Sequence, residues 1–282
     1  MLAIKALLAV GVVAAAAAAV EVVEVVGVPT EGPSPPAVSV QPAGESAGLP
    51  KMSCSRSAKN KAFVNHCIRT NFQALLPAIR NGGVLGLPNL TPYEVATQAL
   101  DIKTLPISFH VELSNMTVHG LPDAIVRDAR SDLRDDRLNM DVDLTFPKLM
   151  FKGLFEFTNG VFATWNFKGR GPFEFHLSNI RATWKVQGRK RPEDTHMMID
   201  HVTPVLSYTI GGLKFWAKGL VDGAPALDDV VNLMVNRLWS DVVELGKPAV
   251  NKPLSQHLTA LANDVFRSVP YQQLFPDSSE EP

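Results

Sequence analysis

Cysteine is scarce in this chain: Cys54 and Cys67 are the two among 282 residues. Two thiols with no nearby second pair cannot fill a tetrahedral shell, which argues against a structural metal site. Charge of one sign is equally lacking. Lys and Arg number 27 against 28 Asp and Glu, for a net charge of -1. No basic excess exists to hold a nucleic-acid backbone, so no nucleic-acid partner is expected. A P-loop and a G-x-G-x-x-G fingerprint are absent. The histidines do not cluster either: His110, His119 and His176 stand alone, and His196 and His201, five apart, share neither a strand face nor a helix face. We therefore expect no catalysis, no metal and no cofactor. Long hydrophobic runs are few. The longest, Ala6 to Val20, falls short of the ~20 residues that span a bilayer. Lys5 precedes it, Ala17 and Ala19 give a small-x-small pattern, and Glu21 and Glu24 follow. Residues 1–20 thus read as a signal peptide, and no stable membrane insertion is expected.

What is present begins after that leader. Residues 21–50 hold Pro29, Pro33, Pro35, Pro36, Pro42 and Pro50 with no surviving period, the composition of a disordered arm. Behind a signal peptide, Cys54 and Cys67 should be oxidised to one disulfide. Phe63, Cys67, Phe72, Leu75, Leu76 and Ile79 follow helical spacing up to Arg80, and Asn81-Gly82-Gly83 ends the helix.

From Leu105 the apolar period falls from 3.6 to two, the signature of half-buried strands. Ile107, Phe109, Val111 and Leu113 point one way; Met140, Val142, Leu144 and Phe146 repeat the pattern, as do Phe173, Phe175 and Leu177, and then Ala182, Trp184 and Val186. Further strands are expected over 162–167, 197–206 and 213–218. Turns are expected at Thr158-Asn159-Gly160, Lys168 to Pro172, Gly188 to Pro192 and Gly211-Gly212. Asp123, Asp128, Asp132, Asp135 and Asp136 alternate with Arg127, Arg130, Arg134 and Arg137, which predicts a salt-bridged exposed helix or loop. Arg189-Lys190-Arg191 falls at a hairpin tip, either a solvated turn or a patch for lipid headgroups.

The last long stretch, Ala226 to Phe266, carries Val231, Val235, Leu238, Val242 and Leu245 on one helical face, widened by Val230, Met234, Trp239 and Val243. As one helix it would run ~60 Å, with a kink or break at Pro248 and Pro253. So apolar a rod needs walls on several sides, and the preceding segments are strands. The expected fold class is α+β: a long C-terminal α-helix wrapped by a highly curved antiparallel β-sheet, with an N-terminal helix.

That order resembles the insect haemolymph juvenile-hormone-binding and takeout-like family, within the tubular lipid-binding superfamily. The likeness rests on Cys54 to Cys67 running into CIRTNFQALLPAIRNGGVLGLPNLTPYEV, on ELSNMTVHGL from Glu112 to Leu121, and on Asn232 to Trp239, Lys247-Pro248 and VFRSVPYQQLFP from Val265 to Pro276. It covers about Cys54 to Pro276; the proline-rich arm departs from the family pattern. Arthropod mite allergens of the same architecture are similar too. The resemblance implies that residues 51–277 form a single super-roll domain, with 278–282 as an acidic tail. It also implies an elongated apolar tunnel for a terpenoid, fatty acid or similar lipid, in a monomer secreted into haemolymph-like fluid.

Composition does not decide whether the interior is hollow or filled, and a packed core is the default. If hollow, its lining comes from the inward strand residues Phe109, Val111, Leu113, Met140, Val142, Leu144, Phe146, Phe173 and Phe175, and from Val231, Met234, Val235 and Leu238 on the helix. Tyr93, Tyr208 or Trp216 would supply an orienting hydrogen bond. The sequons Asn89-Leu90-Thr91 and Asn115-Met116-Thr117 mark Asn89 and Asn115 for glycosylation. Three functions fit: a secreted carrier of a hydrophobic small molecule, a surface-recognition or immune-type lipid binder, and a partner-binding protein with a filled core.

Overall fold

The computed structural model describes residues 54–56, 60–81, 87–104, 107–162, 165–204 and 209–277. The segments expected to be a signal peptide, a proline-rich arm and an acidic tail lie outside these residues. Helix α1 (Lys61–Ala78) opens the fold, capped by the Asn60 side chain, which accepts from the Ala62 N–H. Eight strands follow: β1 (Tyr93–Val95), β2 (Gln98–Thr104), β3 (Ile107–His119), β4 (Ile125–Leu133), β5 (Arg137–Phe162), β6 (Trp165–Arg189), β7 (Met198–Pro204) and β8 (Gly212–Ala217). Helices α2 (Ala226–Arg237), α3 (Trp239–Ser268) and α4 (Tyr271–Leu274) close the chain. All pairings are antiparallel and the sheet is strongly curved. The architecture is α+β, as the residue periods and the family likeness predict.

Its frame is the β5–β6 hairpin, paired from Arg137 opposite Arg189 to Phe162 opposite Trp165 with one slip of register near its tip. The strands are 26 and 25 residues long, far beyond the usual 3–10. Each long edge is shared by two short neighbours. On β5, β4 covers the first half and β3 the second; on β6, β8 covers the first half and β7 the second. β1 and β2 extend the sheet beyond β3.

Several expected turns are instead kinks inside long strands. Thr158-Asn159-Gly160 is a bulge within β5, where the register slips between Phe157 and Gly160. Asn115, Asn159 and Asn179 all have left-handed φ, at 49°, 53° and 51°. Asparagine tolerates that region better than other residues with a Cβ. One extra residue reverses the inward phase without ending a strand: in β3 it passes from Val111 and Leu113 to Met116 and Val118. Lys168 to Pro172 also stays within β6. Its glycines serve close approach, since a Cβ on Gly171 would meet the Lys218 carbonyl oxygen at 2.0 Å. From Arg127 to Arg137 the Asp/Arg cluster forms the β4 strand and its hairpin into β5, not a helix, while Asp123 sits in a 3-10 turn just before β4. There Arg130 bridges to Asp128 and, with two N–H groups, to Asp143 on the exposed face. Alternating charges at period two suit a solvated strand face as well as a loop.

The C-terminal rod is two helices. It breaks at Leu238, whose N–H donates to the Met234 carbonyl, and α3 runs through both Pro248 and Pro253. The cause is tertiary. On α2, Asp228, Asn232 and Asn236 hydrogen-bond the backbone of Leu220, Ala217 and Phe215 along and just past β8. On α3, Ser255, Thr259 and Asn263 bond that of Val202 and Ile199 on β7. β7 and β8 flank opposite halves of β6, so the rod must change direction between them. On the far edge α1 uses the same spacing: Asn65 accepts from the Ser131 N–H and Gln73 from the Val126 N–H of β4. Side chains four and eight apart share a helix face, and here that face seals unpaired strand edges.

Candidate functional site

Inward residues along the long hairpin sort by position. On β5, Leu138 joins a cluster at one end, with Tyr271, Leu274, Phe275 and Cys54. Phe155 and Phe157 join an aromatic plug at the other, with Phe173, Phe175 and Phe215. Between them, Met140, Val142, Leu144, Phe146, Leu149 and Phe151 face a cavity of about 390 Å³. β6 adds Leu177, Ile180, Ala182, Trp184 and Val186. α1 closes one side with Phe72, Leu75, Leu76 and Ile79, and α3 another with Val243, Lys247, Leu254, His257, Leu258 and Leu261.

The lining is almost wholly hydrocarbon and aromatic carbon. Among the described residues its polar groups are the side chains of Tyr93, His257 and Lys247 and the indole N–H of Trp184. The Tyr93 hydroxyl lies 2.6 Å from His257 Nε2, and the rings tilt against each other with centroids 5.5 Å apart. Burial pushes the imidazole down to about 4, because a cation there would lose its hydration. Burial also raises the Tyr93 phenol, with the Asp264 carboxylate adding to the effect. Lys247 is mostly covered and pairs with Glu244, an exposed carboxylate one turn earlier. The geometry provides an apolar space with a neutral hydrogen-bonding pair and one ion-paired lysine. Among the described residues no group of His, Cys, Asp and Glu could hold a metal, and no helix is long and apolar enough to cross a membrane.

The candidate residues fall in three places. Met140, Val142, Leu144 and Phe146 line the cavity. Val111, Leu113, Phe173, Phe175, Val231 and Val235 pack the filled end, with Leu238 against that same core; Met234 is half-buried on α2. The side chain of Phe109 lies outside the described residues, as does Tyr208. Trp216 is exposed, with Lys218 Nζ 5.6 Å over its ring. Cys54 and Cys67 form a disulfide with Cα atoms 5.8 Å apart. Asn89 and Asn115 are both on the surface. The Asn89 side-chain oxygen accepts from the Thr91 N–H.

Sequence reasoning passed over His257 and Lys247. A signal for His257 existed. It sits among Leu254, Leu258, Leu261 and Val265, so helical spacing places it on the apolar stripe.

Residues 37–276 match the haemolymph juvenile hormone binding protein family. A putative beta-carotene-binding protein of Schistocerca gregaria is 23% identical over 211 residues, covering 74% of this chain and 82% of that protein. The crystal structure of Epiphyas postvittana Takeout 1 superposes with a TM-score of 0.62 at 19% identity, covering 80% of this chain and 99% of the other.

Proposed function

The chain belongs to the haemolymph juvenile hormone binding protein family, and from that premise we propose that it is a secreted carrier whose cargo lies in an elongated tunnel along α3. Its cargo is a hydrophobic small molecule: a terpenoid, a fatty acid or a carotenoid-like polyene. One observation carries the reading. The space between sheet and helices is about 390 Å³ and is walled by apolar side chains, within the ~300–1,000 Å³ range of small-molecule sites. Its wall on α3 extends from Val243 to Phe266, about 35 Å at 1.5 Å per residue, which favours a long, thin ligand. Apolar burial, at about 25 cal/mol per Å², supplies the driving force.

Secretion accounts for the Cys54–Cys67 disulfide, since such bonds persist in oxidising compartments. It also fits the leader-like residues 1–20. Asn115 is the better glycosylation candidate of the two: it projects from a bulge on β3, whereas the Asn89 side chain is engaged with Thr91.

Native mass spectrometry of the protein purified from its source tests the proposal. A co-purifying lipid that is released on denaturation is the expected result. A protein that arrives empty and takes up neither fatty acid, terpenoid nor carotenoid would remove the carrier function. Binding to bacterial lipid alone would shift the role to surface recognition.

A further inference from the structure

The Tyr93–His257 contact is out of place in the cavity that holds it. Tyr93 stands on the short strand β1 and His257 on α3, on separate walls and 164 residues apart in sequence. The other side chains that line this region are hydrocarbon or aromatic, apart from Lys247. That ammonium is ten residues from His257 along α3, about 15 Å at 1.5 Å per residue. A polar pair in an apolar chamber adds little stability over two apolar groups of the same shape. Its hydrogen-bonding capacity is more informative. A phenol offers one donor and two acceptor sites, and a neutral imidazole offers one of each. The bond between them leaves the Tyr93 oxygen with unused capacity in either tautomer. If Nε2 accepts, the phenol oxygen keeps both lone pairs. If Nε2 carries the proton and donates, the phenol keeps its own O–H and one lone pair. Among the described residues no second polar group reaches that oxygen, and both side chains line the cavity.

We propose that the Tyr93–His257 pair is a selectivity element: it favours lipids bearing one uncharged oxygen, a hydroxyl or carbonyl, over hydrocarbons of the same shape. This rests on the carrier reading above and deepens it. The pair recognises a hydroxyl in both tautomers and a carbonyl when Nε2 donates to the phenol. His257 is held neutral by burial, so no formal charge attracts an ionised head group at this point.

The test uses the full chain, freed of lipid, with N-phenyl-1-naphthylamine as the displaced fluorescent probe. The competitors are farnesol and its matched hydrocarbon, farnesene. Wild type should prefer farnesol by roughly three- to ten-fold, the worth of one net hydrogen bond. Tyr93→Phe, which removes the oxygen and keeps the ring, should bring that ratio to about one or below, since the hydroxyl is then buried without a partner, while farnesene affinity stays within about two-fold. His257→Gln, which keeps a polar partner for the phenol, should retain the preference. Should Tyr93→Phe fail to fold, as read by its thermal melt, Tyr93→Leu, which also removes the oxygen, takes its place with the same expected loss. Equal affinities in wild type overturn the selectivity role alone, and so does a preference that survives Tyr93→Phe. A wild-type protein that binds neither the probe nor either competitor overturns the carrier reading and this inference together.

Discussion

The Asn263 side chain brackets the backbone of Ile199: its Oδ1 accepts from the Ile199 N–H and its Nδ2 donates to the Ile199 carbonyl, each at 2.9 Å. One amide thereby completes, at that residue, the pair of bonds a missing ninth strand would make. Asn236 does the same for Phe215, and Asn232 for Ala217, on the other helix. The helices thus join the sheet edges through side chains and leave the space behind them open for the cavity.

Replacing Asn263 or Asn236 by Ala leaves a strand N–H and a carbonyl without partners. Each is expected to cost about 2–6 kcal/mol, given ~1–3 kcal/mol for each of the two stranded groups. Urea unfolding should show a lower midpoint with an unchanged slope. A shift below about 0.5 kcal/mol, the scale of an ordinary surface substitution, would mean that water serves those edges equally well.

Leu144→Trp places an indole in the cavity and should lower the affinity of a fluorescent fatty-acid probe by at least about ten-fold, or ~1.4 kcal/mol, with the folded state retained. Val235→Trp is expected to act differently. Val235 is fully buried in the filled end, so overpacking should cost about 1–3 kcal/mol while probe affinity is unchanged. Comparison of probe titrations with melts separates the two.

The His257 imidazole titrates at about 4 in the folded chain, below the ordinary 6.5. On acidification the unfolded chain takes up this proton first, so unfolding is favoured as pH falls. The contribution is fully present above about 6.5, is lost progressively between 6.5 and 4, and its loss is complete below 4. Discounted for partial exposure, it amounts to about 2 kcal/mol. The stability difference between wild type and His257→Gln, measured at pH 7 and pH 4, should change by that amount in the direction that disfavours wild type in acid. No change would place the imidazole in water.

Cys54 also donates its N–H to the Leu274 carbonyl at 3.0 Å, so the disulfide ties α1 to the C-terminal segment. Cys54→Ala paired with Cys67→Ala should lose about 3 kcal/mol, the chain-entropy value for so short a loop. Calorimetry of the double variant checks it.

Asn115 is expected to carry a glycan when the chain passes through a eukaryotic secretory pathway. Peptide mapping before and after enzymatic deglycosylation should find the modification on Asn115. An unmodified Asn115 beside a modified Asn89 would reverse the assignment.

The sequence by itself determined which regular segments are strand or helix in their clearest stretches, and which side of each faces inward. Period two in Met140 to Phe146 and period 3.6 in Val231 to Leu238 follow from how a strand and a helix present side chains to a core, which is a local rule. Tertiary structure alone decided which of those inward residues border empty space. Met140 and Val111 read alike, yet one faces the cavity and the other the aromatic plug, because voids depend on what packs opposite, from α1, α3 and the far strand. It also decided that Leu238, not a proline, breaks the rod, and that His257 meets Tyr93. Both depend on segments that are distant in the chain, and spacing along one strand or helix carries no information about them.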